Sequence, residues 1–302
     1  VVTALAGVAR GDLQQQVARA GQWLALDPPE PNATIGGIVA TAASGPRRLR
    51  YGTPRDMLIG ITVVLADGTI AHSGGKVVKN VAGYDLGKLF TGSFGTLGVI
   101  ASCTFRLHPL AAARQVVTAE TADPAEAVRQ VNATGATPTA MEWDGRALVV
   151  VVESIESAAA EQGKDIAAAI GGRVGSELPA NFGQRPWRDA DVGLKLTHRL
   201  GALHDVLAVV AERLPGARVR AHAGSGVVWV AADPTVAAAA IRGLRSDVER
   251  YDGQLVVVIG PADLKRDADA WGPVRGLALM HRIKDQFDPD HRLAPGTFVG
   301  GI

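Results

Sequence analysis

The sequence predicts an α+β protein of two domains, on three observations. A glycine-rich loop over 74–98 runs into a strand of period two. From residue 111 onward, short strands and Ala-rich helices alternate in an order that repeats. The chain has 302 residues and is 47% hydrophobic, enough for two cores. The first domain is expected over 1–110 and the second over 111–268. A helix and tail over 269–302 return to the first.

Residues 1–8 are apolar and rich in β-branched side chains, and predict a strand. Asp12 is expected to cap the next helix, with Gln15 in the capping-box position and Leu13, Val17 and Ala20 as its buried stripe. Asp27-Pro-Pro-Glu-Pro is stiff and extended, because proline fixes φ. Thr34-Ile-Gly-Gly-Ile-Val-Ala-Thr-Ala-Ala-Ser-Gly45 has small residues at most positions. A short helix opening at Gly36-Gly37 is expected to present free amides to a diphosphate, with Ala40, Ala43 and Ser44 letting a cofactor lie close. The same composition also suits a tightly packed Ala/Gly core helix. The G-x-G-x-x-G dinucleotide fingerprint is not found in its strand–turn–helix context. Residues 59–66 and 69–72 read as a hairpin turning at Asp67-Gly68.

In the glycine-rich loop, Gly83, Gly87, Gly92, Gly95 and Gly98 allow close backbone approach to a flat or anionic ligand; a long turn of an α/β protein is the alternative. In the strand that follows, Val99, Ala101, Cys103, Phe105 and Leu107 are expected on one face, and Ile100, Ser102, Thr104, Arg106 and His108 on the other.

Beyond Pro109 the pattern gives strand 114–120, helix 124–133, a hairpin over 139–152 turning at Asp144-Gly145, helix 157–170 and a strand near Arg173. It then gives strand 191–197, helix 200–214, hairpin strands 217–223 and 226–231, helix 234–250 and strand 254–259. Two β-α-β-β-α-β units in series imply an antiparallel sheet with helices on one face. The last helix, 272–287, has Pro273 near its first turn and Met280, Ile283 and Phe287 as its expected buried stripe.

Composition narrows the function. The 31 basic and 30 acidic residues are well mixed, with net charge +1, so nucleic acid is not expected as a partner. No apolar run is long enough for a membrane span, and no signal peptide is read. The single cysteine, Cys103, excludes an intramolecular disulfide and a Cys-ligated iron–sulfur cluster, and reads as a core residue. A cytoplasmic setting fits, or one peripheral to a membrane through a complex.

Three segments then converge, in order, on one family. Thr34-Ile-Gly-Gly is the first. Lys79-Asn-Val-Ala-Gly-Tyr-Asp-Leu with Gly92-Ser-Phe-Gly-Thr-Leu-Gly-Val-Ile is the second, and Lys284-Asp-Gln-Phe-Asp-Pro with Ala294-Pro-Gly is the third. Together they resemble the FAD-linked oxidases of the vanillyl-alcohol-oxidase type, and most of all the E-subunit type of bacterial glycolate oxidase. Ser44-Gly-Pro-Arg-Arg adds to that likeness. The resemblance implies a two-lobed FAD domain and an α+β cap with an antiparallel sheet. It places an Arg-Gly-Gly-Gly-type loop of the first lobe before Val1, so an N-terminally truncated FAD domain is expected here. It implies that Thr34, Ile35, Gly36 and Gly37 face the diphosphate, that Ala40, Ser44 and Gly45 line the ribityl and flavin side, and that Gly95, Gly98, Val99 and Ile100 meet the adenine end.

Departures from the family matter too. Its Gly-Ser-Glu-Gly is Gly92-Ser-Phe-Gly here, and its Asn-Pro-Gly is Ala294-Pro-Gly. The related D-2-hydroxy-acid dehydrogenases hold a divalent metal with a His-x-Gly-Asp-Gly-Asn-x-His run. The aligned residues 222–229 keep only His222, so no metal site is expected. His222 and Arg188 are the catalytic candidates, each with a plainer reading as a strand-end histidine and a surface arginine. The implied function is an FAD-binding subunit that works with a catalytic flavoprotein subunit and an iron–sulfur subunit on a small 2-hydroxy acid. The alternatives are a self-sufficient FAD-dependent 2-hydroxy-acid dehydrogenase and an interaction subunit with a decayed flavin site.

Overall fold

In the computed structural model, which describes residues 1–76 and 85–302, the chain opens on β1 (Val2–Leu5). Helix α1 (Arg10–Ala18) follows and buries Leu13 and Val17. Its N-cap is Ala9, so Asp12 lies inside the first turn, where it favours the helix dipole without capping it; Ala20 is exposed. After the pairing segment β2 (Gln22–Trp23) come α2 (Ile35–Thr41), α3 (Arg48–Tyr51) and α4 (Pro54–Met57). The hairpin β3 (Leu58–Val64) and β4 (Ile70–Gly74) turns at Asp67-Gly68, where Gly68 has φ +86° and Asp67 accepts the Thr69 amide. Helix α5 (Leu86–Phe90) precedes β5 (Val99–Phe105), and β6 (His108–Pro109) pairs with β2.

The strands β1-β5-β3-β4 form an antiparallel sheet in that order. Cys103, Phe105, Ile61 and Val63 face a core completed by Ile35, Ile38, Val39, Met57 and Phe90. Burial pushes the Cys103 thiol up to about 12, so it behaves as a small apolar side chain. The alternation expected along β5 fails at its start. Ile100 pairs with Val63 and Ser102 with Thr62, which leaves Ala101 as an extra residue. Such a bulge turns the preceding residues to the other face, and Val99 is 57% exposed beside Val64. The motif residues 79–84 lie outside the described residues.

The second sequence block folds on its own pattern. It comprises β7 (Ala113–Glu120), α6 (Pro124–Ala133), β8 (Ala140–Trp143), β9 (Ala147–Ser154), α7 (Glu156–Ile170) and β10 (Arg173–Gly175). The set recurs as β11 (Val192–Thr197), α8 (Leu203–Arg213), β12 (Arg218–His222), β13 (Val227–Ala232), α9 (Ala238–Glu249) and β14 (Gln254–Ile259). Within each set the sheet order is fourth-first-third-second. The two halves meet where β8 pairs with β12, giving the eight-stranded order β10-β7-β9-β8-β12-β13-β11-β14. Helix α9 starts later than the sequence suggests, because Asp233 closes a turn on Thr235 first.

On one face of this sheet, Val116, Ala140, Val149 and Val151 take Leu178 and Phe182 from the segment that joins the repeats. The same face carries the buried ion pair Arg220–Glu142 (2.8 Å), with the Gly183 amide also donating to Glu142. Short α10 (Ala262–Asp267) ends the block. The chain divides into two compact units, Val1–Leu110 with Val274–Ile302, and Ala111–Pro273.

On the last helix, α11 (Leu277–Phe287), Ile283 and Phe287 of the predicted stripe pack against the core, Phe287 edge-on to Phe90 at 5.6 Å, and Met280 is half-buried. The stripe omitted the one fully buried side chain of the helix, Lys284. Among the described residues, no helix is long and apolar enough to cross a membrane.

Candidate cofactor site

Helix α2 is set at the end of β1 by its first amides. Ile35 N–H donates to Val8 O (2.9 Å) and Gly36 N–H to Ala6 O (2.8 Å). Gly37 N–H donates to Thr34 Oγ1 (3.2 Å), the N-cap bond. The expectation of free amides at this helix start is therefore not met. All three hold α2 onto the chain before it, and a helix-end amide that finds a partner within the protein needs no ligand to satisfy it. Gly36 is required by that packing, since a Cβ there would lie 2.6 Å from Ala6 Cβ.

What α2 leaves open is a strip almost without side chains. Gly37 and Thr41 are exposed and Ala40 is half-buried, while Ile35, Ile38 and Val39 face the core. The spacing is that of one helix face. Thr34 Oγ1 accepts from Gly37, and its own O–H can still donate outward.

The 92–98 loop is brought against the same helix. Gly92 N–H donates to Val39 O (2.9 Å) and Phe94 N–H to Ala40 O (2.8 Å). These bonds occupy carbonyls at the end of α2, where Ala42 adopts a left-handed C-cap. Phe94 itself sits at φ +55°, and Gly95 at φ +76° has no heavy atom within 4 Å of where a Cβ would stand. The two predicted motifs thus meet, with Gly37, Ala40 and Gly95 open. Val99 is exposed and Ile100 half-buried, whereas Gly98 faces inward, with Phe90 Cε1 3.0 Å from an added Cβ.

Ser44 and Gly45 are buried, and Gly45 has a structural task of its own. Asp27 accepts the Gly45 amide (3.0 Å) and the Arg47 amide (2.8 Å), clamping the turn after α2. Sequence reasoning treated Asp27 only as part of a stiff proline run; its partners lie 18 and 20 residues away and leave no local signal. Burial pushes the Asp27 carboxyl up to about 6, against the lowering influence of the Arg47 amide and charge, the Gly45 amide and the Arg10 charge. Its folded value is above its unfolded one, 3.8. The stabilising contribution is therefore full below about pH 4 and is lost as pH rises through 6. Wild type should lose stability relative to Asp27→Asn between pH 4 and 7, by roughly 2 kcal/mol after discount for partial exposure. Urea midpoints of both proteins across that range test it; parallel curves would show that the carboxyl titrates normally.

The catalytic candidates lie in the other unit. His222 is buried at the end of β12, with Nε2 3.7 Å from Glu142 Oε1 and its ring 6.2 Å from Trp229. Arg188 is exposed, and its backbone N–H donates to Asp191. Sequence reasoning passed over the neighbouring Arg185, whose guanidinium stacks 3.3 Å from the Trp229 ring centre. Among the described residues no cluster could hold a metal ion.

Against this geometry, residues 1–74 match the family model described as FAD binding domain. This stretch is an FAD binding domain, and its cofactor is FAD. The "Probable D-lactate dehydrogenase, mitochondrial" of Danio rerio is 46% identical over 110 residues, 35% of this chain and 22% of that protein. The "Glycolate oxidase subunit GlcE" of Escherichia coli (strain K12) is 40% identical over 111 residues, 36% of this chain and 32% of that protein. The aligned part thus spans no more than a third of either relative. A solved structure of alkyldihydroxyacetonephosphate synthase covers 96% of this chain and 63% of its own, with TM-score 0.65 and 15% identity. That likeness shows a shared fold of the vanillyl-alcohol-oxidase type.

Proposed function

We propose that this protein is an FAD-dependent oxidoreductase acting on a small 2-hydroxy acid, and that it serves as the FAD-binding subunit of a glycolate-oxidase-like complex. The observation that carries this is the bare strip of Gly37 and Ala40, within a stretch that matches an FAD binding domain, joined to the 92–98 loop that lies beyond the match. A flat cofactor with two phosphates needs such a side-chain-poor wall. Thr34 would offer its hydroxyl to the diphosphate, and Gly37 and Ala40 would allow close approach. Gly95, Val99 and Ile100 would meet the adenine end. Gly36 and Gly45 serve by shaping the wall. Bound FAD supplies the electron-accepting chemistry that no side chain has.

The partner reading has separate support. One relative is itself named as a subunit, and the single cysteine rules out a Cys-ligated cluster within this chain. The implied partners are a catalytic flavoprotein subunit and an iron–sulfur subunit. A self-sufficient dehydrogenase is the second reading; it is favoured by the basic and aromatic face of the other unit, where Arg185 and Lys195 flank Trp229.

Neither binding motif contains His or Cys for a covalent tether. The purified protein should be yellow, and acid precipitation should release the chromophore as FAD. Anaerobic addition of glycolate or D-lactate should bleach the flavin absorption of the complex, and of the chain alone only under the second reading. A colourless protein that takes up no added FAD would end both readings.

A further inference from the structure

We propose that Lys284 is a positioning residue for the cofactor wall: from the C-terminal helix it fixes the 92–96 loop in the shape that accepts FAD. This rests on the placement of FAD against that loop. Lys284 is completely buried, and its ammonium donates to Thr96 O (2.8 Å), Leu293 O (2.9 Å) and Asp288 Oδ2 (2.6 Å). These bonds use all three of its donors.

Asp288 is equally buried and also accepts the amides of Arg292 (3.1 Å) and Leu293 (2.7 Å). Burial alone would raise its carboxyl. The bonds from Lys284, Leu293 and Arg292 outweigh that and hold it at about 2. An ammonium is costly to bury, and a helix could be anchored more simply by leucine. What the ammonium adds is direction: it holds the Thr96 carbonyl to one position.

A second contact, from the tail that follows α11, acts on the same loop. Phe298 stacks on Phe94, with ring centres 5.2 Å apart and planes at 23°. Phe94 has the left-handed φ that is costly for a bulky residue. The loop is therefore held from two sides. Helix α2 takes the amides of Gly92 and Phe94, while Lys284 of α11 takes the Thr96 carbonyl and Phe298 of the tail the Phe94 ring. Thr96 also closes on Ser93 through its amide (3.0 Å) and hydroxyl (2.7 Å), so a shift at Thr96 moves the turn that carries Phe94 and Gly95.

The test uses the double variant Lys284→Met/Asp288→Asn, which removes both charges, roughly keeps volume and leaves an acceptor oxygen for one of the two tail amides. Its melting temperature should stay within a few degrees of wild type. Its FAD dissociation constant, by flavin fluorescence, should rise at least tenfold, and amide exchange over 92–98 in the FAD-free protein should accelerate while the β3 and β5 amides stay protected. Phe298→Ala, at a half-buried position, should weaken FAD several-fold in the same assay and decides the matter if the double variant does not fold. Unchanged FAD affinity in a folded variant, or unchanged exchange over 92–98, overturns the proposal. A wild-type protein that takes up no FAD would instead overturn the cofactor placement; the exchange experiment still reads the positioning.

Discussion

Gly45→Ala should cost the N-terminal unit on the order of 3 kcal/mol or more, as overpacking against a rigid neighbour does. A Cβ at Gly45 would stand 2.0 Å from the Asp27 carbonyl oxygen and 2.7 Å from Asp27 Cγ. The first is backbone, stiffened by the two prolines after it, so it cannot step aside as a flexible side chain would. Relief would have to come from opening the turn. That breaks the bonds from the Gly45 and Arg47 amides to the Asp27 carboxylate, each worth roughly 1.5–3 kcal/mol as a bond to a charged group. Domains hold together by only about 5–15 kcal/mol. Chemical denaturation should show a sharply lowered midpoint, with FAD uptake falling as a consequence of lost structure. A midpoint within error of wild type would mean that the Asp27 clamp does not hold the turn.

That clamp marks what could be read from the chain and what could not. The hairpin at Asp67-Gly68 and the doubled β-α-β-β-α-β pattern were legible, because turn chemistry and periodicity are local. The meeting of the 34–45 and 92–100 motifs was legible through family resemblance. Their chemistry was less so. Free amides at the start of α2 are a reasonable expectation from Thr-Ile-Gly-Gly, but Ala6 and Val8 take two of them from a strand end that no local pattern points to. Val99 faces outward because of an extra residue at Ala101, and a bulge leaves no mark on alternation. The apolar stripe of α11 was legible in Ile283 and Phe287, which pack against the core, but its most buried residue is a lysine. A buried charge reads as a surface charge until its partners are known, and Thr96 lies 188 residues away.

Gly37→Asp should leave the fold intact, or slightly firmer, while reducing FAD affinity more than a hundredfold. The two effects separate because Gly37 is both the third residue of α2 and the open point of its strip. A carboxylate at that position favours the helix dipole. It also completes a capping box with Thr34, as Asp56 does with Thr53 at α4, where the Thr53 amide donates to Asp56 at 2.7 Å. The fit is tight but tolerable: the added Cβ would lie 3.1 Å from Thr34 Oγ1, and that hydroxyl can turn by the few tenths of an ångström required. For the cofactor the change is unfavourable twice over. The new charge faces a diphosphate across a partly shielded surface, where like charges about 6 Å apart cost roughly 3 kcal/mol at an effective dielectric of about 20. The carboxylate also fills the gap that lets backbone and phosphate approach. Gly37→Asn separates the two, keeping the bulk without the charge, and should bind FAD with intermediate affinity. Titration by flavin fluorescence, with thermal melts of the same samples, gives both readouts. Equal FAD affinity in wild type and Gly37→Asp would remove Gly37 from the diphosphate site and with it the α2 strip as the cofactor wall.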